Sequence, residues 1–366
     1  MDQLDLDDLR IQCLFLFARH ATDVNNDKCW LSSDSLVRMA MHLGLHFDPA
    51  KHELSDIPSS EIEARRRLWA TVLELEVQSS MDHGGCPSVD REHYDCAAPS
   101  NVDDADAEGN VSVPRTESQP TQSSIQILLM RSIRTRLCIA RFLNTFQSDM
   151  FFDTALRLSS ELAESLKGCP NILEAYRRST TPPTAFQTKM YDLLTRRVFL
   201  GLHHPFAVMG MKDPSYYYSC KMCIETSLFL CPKTTLSSEE DFQRLRLSGS
   251  GLLHNSYTPS VLYMCSELID QAEEGGHLST SPLETSLYKD MRIAAESYMD
   301  SALGRINLGE ISIRCCLAVC YLLARVDAVK ARTAVEPRIM EALGKYLERY
   351  HGCLMGRMQE ASELTV

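Results

Sequence analysis

The sequence predicts an all-α fold in which helices pack on helices. Apolar residues recur at helical spacing along most of the 366 residues, strand-like alternation is almost absent, and the breaks carry glycine, proline and cap residues. From Leu4 to His20 the spacing sets Leu6, Leu9, Cys13, Leu16 and Phe17 on one face. A second helix is expected over Ser33 to His42, with Ser32 or Ser33 as N-cap and Gly44 near its end. The third is the best marked. In PSSEIEARRRLWATVLELEVQSSM, Ser60 and Glu63 have capping-box spacing. Leu68, Trp69, Val72, Leu73, Leu75 and Val77 give it a broad apolar surface, which places this helix at the centre of a core.

From Cys86 to Ser124 the periodicity fails, and Pro87, Pro99, Pro114, Pro120 and the acidic NVDDADAEGN read as a long, partly mobile loop. Helical pattern resumes at Ile125 and runs towards Lys167. Thr181, Pro182 and Pro183 break the chain before a helix that ends near Phe206, and another surrounds Ile224. A polar stretch with Ser248, Gly249, Ser250 and Gly251 precedes helices over roughly 256–272, 282–304, 309–330 and 336–355. The expected division is 1–98, the acidic proline-containing loop 99–124, 125–235, a polar linker 236–255, and a C-terminal helical region 256–366.

Composition excludes several classes. Hydrophobic residues make up 44% and charged residues 23%, as in soluble globular chains. No apolar run reaches the ~18 residues of a membrane span, and MDQLDLDDLR is no secretory signal. Fourteen cysteines without secretory features read as reduced, mostly buried thiols in cytosol or nucleus. A net charge of −12 and the lack of a basic arm argue against a DNA-binding module.

No constellation carries chemistry. Cys220, Cys223 and Cys231 give C-x2-C-x7-C without a second ligand pair, and Cys315, Cys316 and Cys320 sit in an apolar helix, so packing is expected at both. There is no G-x-S-x-G elbow, no Walker loop and no G-x-G-x-x-G. In MAMHLGLHFDP, His42, His46 and Asp48 could grip a metal if the helix continued, but Gly44 and Pro49 end it. Arg65, Arg66 and Arg67 fan out by about 100° each, so one or two should pair with Glu61, Glu63 or Asp48 while the rest face solvent. No catalytic, cofactor or metal residue is assigned.

Two segments then line up with one family. CWLSSDSLVRMAMHLGLHFDP resembles the signature of the middle regulatory region of fungal Zn2Cys6 zinc-cluster transcription factors, through Trp30, Arg38, Ala40, Leu43, Gly44, Leu45, His46 and Asp48. EIEARRRLWATVLELEVQSSMDHGGCPSV is similar to the E-x-R-R-R-L-W helix and glycine–proline turn that follow, through Glu63, Arg65, Arg66, Arg67, Leu68, Trp69, Gly85 and Pro87, with Cys86 where many members carry arginine. DREHYDCAAPSNVDD resembles the acidic Asp…Pro-x-Asn stretch after it, and RRVFLGLHHPFA a helix ending in L-H-x-P-F. The strong resemblance covers about residues 10–105, with weaker echoes to about 230.

The resemblance implies an all-helical regulatory domain acting in the nucleus, with cytosol as the alternative. It implies a protein partner or small-molecule effector, compatibility with a homodimer, and DNA contact only through a missing or separate zinc-cluster domain, which would hold the zinc. The chain lacks the C-x2-C-x6-C cluster and is expected to start partway into the regulatory region, as a truncation or partial gene product. The implied function is transcription regulation, with control of a metabolic gene cluster as one form of it. The alternative is a stand-alone protein of this fold that has lost DNA binding, acting as a dominant-negative partner or as an enzyme in a metabolite pathway.

Overall fold

The structure, a computed structural model, describes residues 4–22, 29–52, 57–107, 113–145, 151–210, 213–231, 240–249, 251–273, 282–306 and 313–363. No strand occurs among the described residues. The chain divides into two compact units, Met1–Leu202 and His203–Val366.

In the N-terminal unit, α1 (Leu6–Thr22), α2 (Cys29–His42) and α6 (Ile133–Asn144) pack around α3 (Ser59–His83). On α1 the buried residues are Leu9, Cys13, Leu16 and His20. Phe17 lies about 70° from the centre of that i, i+4, i+7, i+11 stripe, at its margin, and is exposed rather than core. Helix α2 starts earlier than expected, so Ser33 lies inside it and is no cap. It stops at Gly44, whose φ of 72° is the left-handed conformation glycine tolerates best. Leu45 N–H donates to the Ala40 carbonyl at 3.0 Å across that turn, a Schellman closure.

Helix α3 runs 25 residues with Pro58 as N-cap and no side-chain cap, so the expected Ser60–Glu63 box does not form. Residues 60–83 include no exposed position, and Trp69 is fully buried. A capping box appears instead at α9 (Ala185–Gly210), where Thr184 Oγ1 and the Gln187 side chain bond each other's backbone N–H at 3.1 and 2.9 Å.

The stretch after α3 is not free loop. Val89, Tyr94, Cys96 and Val102 are buried in it, and α4 (Asp104–Ala107) follows. The helix expected from Ile125 to Lys167 is interrupted, giving α5 (Ser124–Met130), α6 and α7 (Phe152–Ser165). Helix α8 (Cys169–Arg177) joins α5 and α9 in a second cluster around Leu128, Leu173, Tyr176 and Tyr191.

In the C-terminal unit, α12 (Leu252–Glu273) is the hub, packed by α10 (Tyr217–Leu230), α13 (Pro282–Ile306) and α14 (Arg314–Ala331). Helix α15 (Val335–Glu363) closes on α14 through Tyr346 against Cys316 and Cys320. The segment read as a polar linker contains α11 (Glu240–Ser248), anchored by buried Phe242.

Truncating Trp69 to alanine should cost roughly 3–5 kcal/mol, the penalty for a large cavity in a closed core. Chemical denaturation of the two proteins measures it, and an unchanged midpoint would remove Trp69 from its assigned place.

Candidate functional site

Most of the signature residues converge on one junction between the α2 turn, α3 and the 84–104 segment. Asp48 is its centre and is fully buried. Its carboxylate accepts two bonds from Arg66, at 2.8 and 3.1 Å, and one each from the backbone N–H of Ala97 at 2.8 Å and Ala50 at 3.0 Å. Burial pushes this carboxyl up, but the Arg66 and backbone donors outweigh it and hold the group below the usual carboxylate range. His46 sends its backbone carbonyl to the N–H of Asp95 and Cys96, at 3.0 and 3.1 Å. Its ring packs on Phe47 at 3.8 Å and near Trp69 at 6.4 Å, and burial lowers its imidazole. Trp69 meets Tyr94 edge-on at 5.6 Å.

None of the three arginines is left to solvent, contrary to expectation. Arg65 donates to the Leu43 carbonyl at 2.6 Å and lies 3.7 Å from Glu61. Arg67 holds Glu63 at 2.9 Å, Asp104 at 2.5 Å and the Val102 carbonyl at 2.8 Å. Glu63 also accepts from Ser100 N–H at 3.0 Å. The helix thus spends its fan of guanidiniums on three different neighbours. Arg38 is exposed on α2, and the Trp30 side chain lies outside the described residues. His42 is exposed at the helix end, away from the packed His46 ring. Of the two glycines after α3, Gly84 takes the left-handed turn, at φ 75°. Gly85 offers its carbonyl to Ser80 and Asn144, and the Pro87 carbonyl accepts from Arg141 at 3.2 Å.

Sequence reading missed a buried polar chain on the same helix. Asp82 pairs with Arg197 and lies 3.5 Å from His20 Nδ1. Arg197 donates to Gln78 at 3.0 Å, Gln78 to Glu74 at 2.7 Å, and Arg136 grips both oxygens of Glu74 at 2.7 Å. Glu74, Gln78 and Asp82 fall at i, i+4, i+8, a signal readable in the sequence; their partners, up to 119 residues away, are not. Glu76 accepts from Ser33 and Ser88, yet burial still raises its carboxyl. Asn101 is a further hub, bonding the Thr116 and Gln119 carbonyls at 3.0 and 2.9 Å and receiving Thr121 and Ser124.

Four buried cysteines behave as packing. Burial pushes the thiols of Cys13, Cys96, Cys231 and Cys265 up to about 12, which disfavours the thiolate a nucleophile or ligand needs. Burial lowers His203 to about 4, and its Nδ1 lies 2.9 Å from Ser219 Oγ.

The result is an all-helical scaffold in which signature residues clamp a turn, a central helix and the segment after it. Residues 9–180 match the family described as fungal specific transcription factor domain, and that stretch of the chain is such a domain. The resemblance read from Trp30 to Pro87 therefore holds. The chain is 30% identical to transcription factor lepE of Aspergillus flavus, over 99% of this chain and 45% of that protein. It is 30% identical to transcription factor opdR of Penicillium oxalicum, over 94% of this chain and 46% of the relative. It is 34% identical to the aspyridones cluster regulator apdR of Emericella nidulans, over 69% and 36%. The chain thus spans less than half the length of these curated relatives. No solved structure matches it. No helix among the described residues is long and apolar enough to cross a membrane.

Two charge predictions follow from the polar chain. Arg197→Met strands a buried Asp82 and should cost about 3–5 kcal/mol. The Arg197 charge and the His20 contact outweigh burial and depress the Asp82 carboxyl, so its contribution is present above the unfolded value near 3.9 and is lost as pH falls below it. Asp82→Asn should therefore melt lower at pH 7 and show a shallower acid limb than the parent. Parallel stability–pH curves for the two proteins would sink that assignment.

Proposed function

We propose that this chain is the effector- and partner-responsive control region of a transcription regulator that serves a metabolic gene cluster. The observation that carries the reading is the Asp48–Arg66–Trp69 clamp, built from the residues that mark the family and lying within the matched stretch 9–180. The relatives are transcription factors, one of them a cluster regulator. The net charge of −12 supports a protein that meets promoters through a separate zinc-cluster domain or a partner activator and not through this surface. In this reading the protein works in the nucleus, zinc belongs to the DNA-reading domain, and the chain itself receives a small molecule or another protein.

The rival is a metabolite-pathway enzyme or dominant-negative partner on the same scaffold. Deleting the gene and profiling transcripts and metabolites together separates them. Coordinate loss of transcripts from a neighbouring set of biosynthetic genes, with the tagged protein nuclear and present at their promoters, is the expected result. An unchanged transcriptome with one accumulated intermediate would replace the regulator by an enzyme. Nuclear exclusion without promoter association would also overturn it.

A further inference from the structure

The C-terminal unit contains a cavity between α11, α12 and α13 that the signature residues do not touch. Arg246 of α11 and Arg305 of α13 both line it, with Tyr257, Tyr298 and Ser301, and the lining includes no aspartate or glutamate. Arg305 is buried, at 9% exposure. Arg246 is held by one bond, from its NH2 to Ser301 Oγ at 2.6 Å, while its buried Nε has no partner. A guanidinium presents five donors in a planar fork. One edge of this fork is fixed, and a buried donor on it is unused. Two cations facing one cavity favour an anion there and oppose a metal ion.

The lining selects the anion. The Arg246 fork matches the two oxygens of a carboxylate, and a carboxylate, unlike inorganic phosphate, carries an organic group for an apolar wall to hold. Leu253, Ala294 and Ala302 supply an apolar wall beside the charged one, suited to the carbon attached to the head. The Tyr298 hydroxyl lies 2.8 Å from Thr258 Oγ1, and burial pushes both tyrosine phenols up, which keeps them neutral. The Cys231 thiol, also on the wall, is likewise held protonated, at about 12. No lining group thus supplies a competing negative charge.

We propose that this cavity binds the carboxylate head of a small organic acid, with the Arg246 fork as its principal ligand and Arg305 as its second cation. The proposal gives chemistry to the small-molecule effector of the reading above. Its test is binding to the purified chain, so a negative promoter experiment leaves it standing and a negative binding experiment leaves promoter association standing.

The test is calorimetric titration of the whole chain with benzoate, hexanoate, benzamide and inorganic phosphate at constant ionic strength. Saturable binding of benzoate or hexanoate at one site is expected, at least tenfold tighter than benzamide or phosphate. Arg246→Gln should weaken it at least tenfold, and Arg325→Gln, a surface change at the Glu273 pair, should bind as the parent does. Should Arg246→Gln fail to fold, Ser301→Ala keeps the charge and removes the 2.6 Å bond that orients it, and should weaken carboxylate binding several-fold. Absence of saturable carboxylate binding overturns the proposal. So does equal affinity for benzamide, preference for phosphate, or undiminished binding in the substituted proteins.

Discussion

A helix enclosed on every side must have its polar side chains answered where they stand, and α3 imposes that constraint on the whole N-terminal unit. No residue between 60 and 83 is exposed, yet the helix carries Glu63, Arg65, Arg66, Arg67, Glu74, Glu76, Gln78 and Asp82. An unpaired charge at such positions would cost several kcal/mol, more than the usual margin between success and failure of a fold. Each charge is therefore a demand for a specific partner at a specific height along the helix. Asp48 answers Arg66, Ser100 N–H answers Glu63, Ser33 and Ser88 answer Glu76, Arg136 answers Glu74 and Arg197 answers Asp82. These answers come from α2, the turn after it, the 84–104 segment, α6 and α9. The apolar contacts around Trp69 make the unit compact; the polar ones fix its register.

The same constraint explains why a stretch with prolines and acidic residues is ordered where it meets α3. Segment 84–104 has no helix of its own to satisfy its backbone. It borrows donors and acceptors from α3 and the Asp48 turn, and buries Val89, Tyr94, Cys96 and Val102 in exchange. Composition alone reads this stretch as loop because periodicity measures helices and strands. It does not register an irregular chain held by side-chain carboxylates and guanidiniums.

What the sequence made legible follows that division. Periodicity found the helices, and Gly44 and the paired prolines at 182 and 183 found real ends. The Asp48–Arg66 pairing was within reach because the two residues sit in successive signatures, 18 positions apart. Phe17 and Ser33 were misassigned for local reasons: one lies at the margin of the buried stripe, about 70° from its centre, and the other reads as a cap until α2 is seen to begin at Cys29. The Ser60–Glu63 box failed because Glu63 has better-placed partners in Ser100 and Arg67. The Asp82–Arg197 pair and the arginine-lined cavity of the C-terminal unit stayed hidden. They join residues from distant segments, and nothing in one strand of sequence ties Arg246 to Ser301.

This division bears on how function should be sought in the chain. The residues that mark the family, from Gly44 to Trp69, are occupied by one another: Asp48 has four bonds, Arg67 three acceptors, and Trp69 no exposed surface. Asp48 and Arg67, so committed, have nothing left to offer a ligand, and the unpartnered atoms nearby, His46 Nδ1, Arg65 Nε and Trp69 Nε1, are buried in the packing. Substituting these residues would lower activity by unfolding the scaffold, and a regulatory defect at Asp48 or Trp69 would report stability. A residue that serves regulation should show the opposite character, a polar group held in place with bonding capacity to spare. Arg246 has it, with one nitrogen tethered to Ser301 and its Nε buried and unused. The proposed carboxylate site is thus best dissected with the melting curve of each variant as the control that separates lost binding from a lost fold.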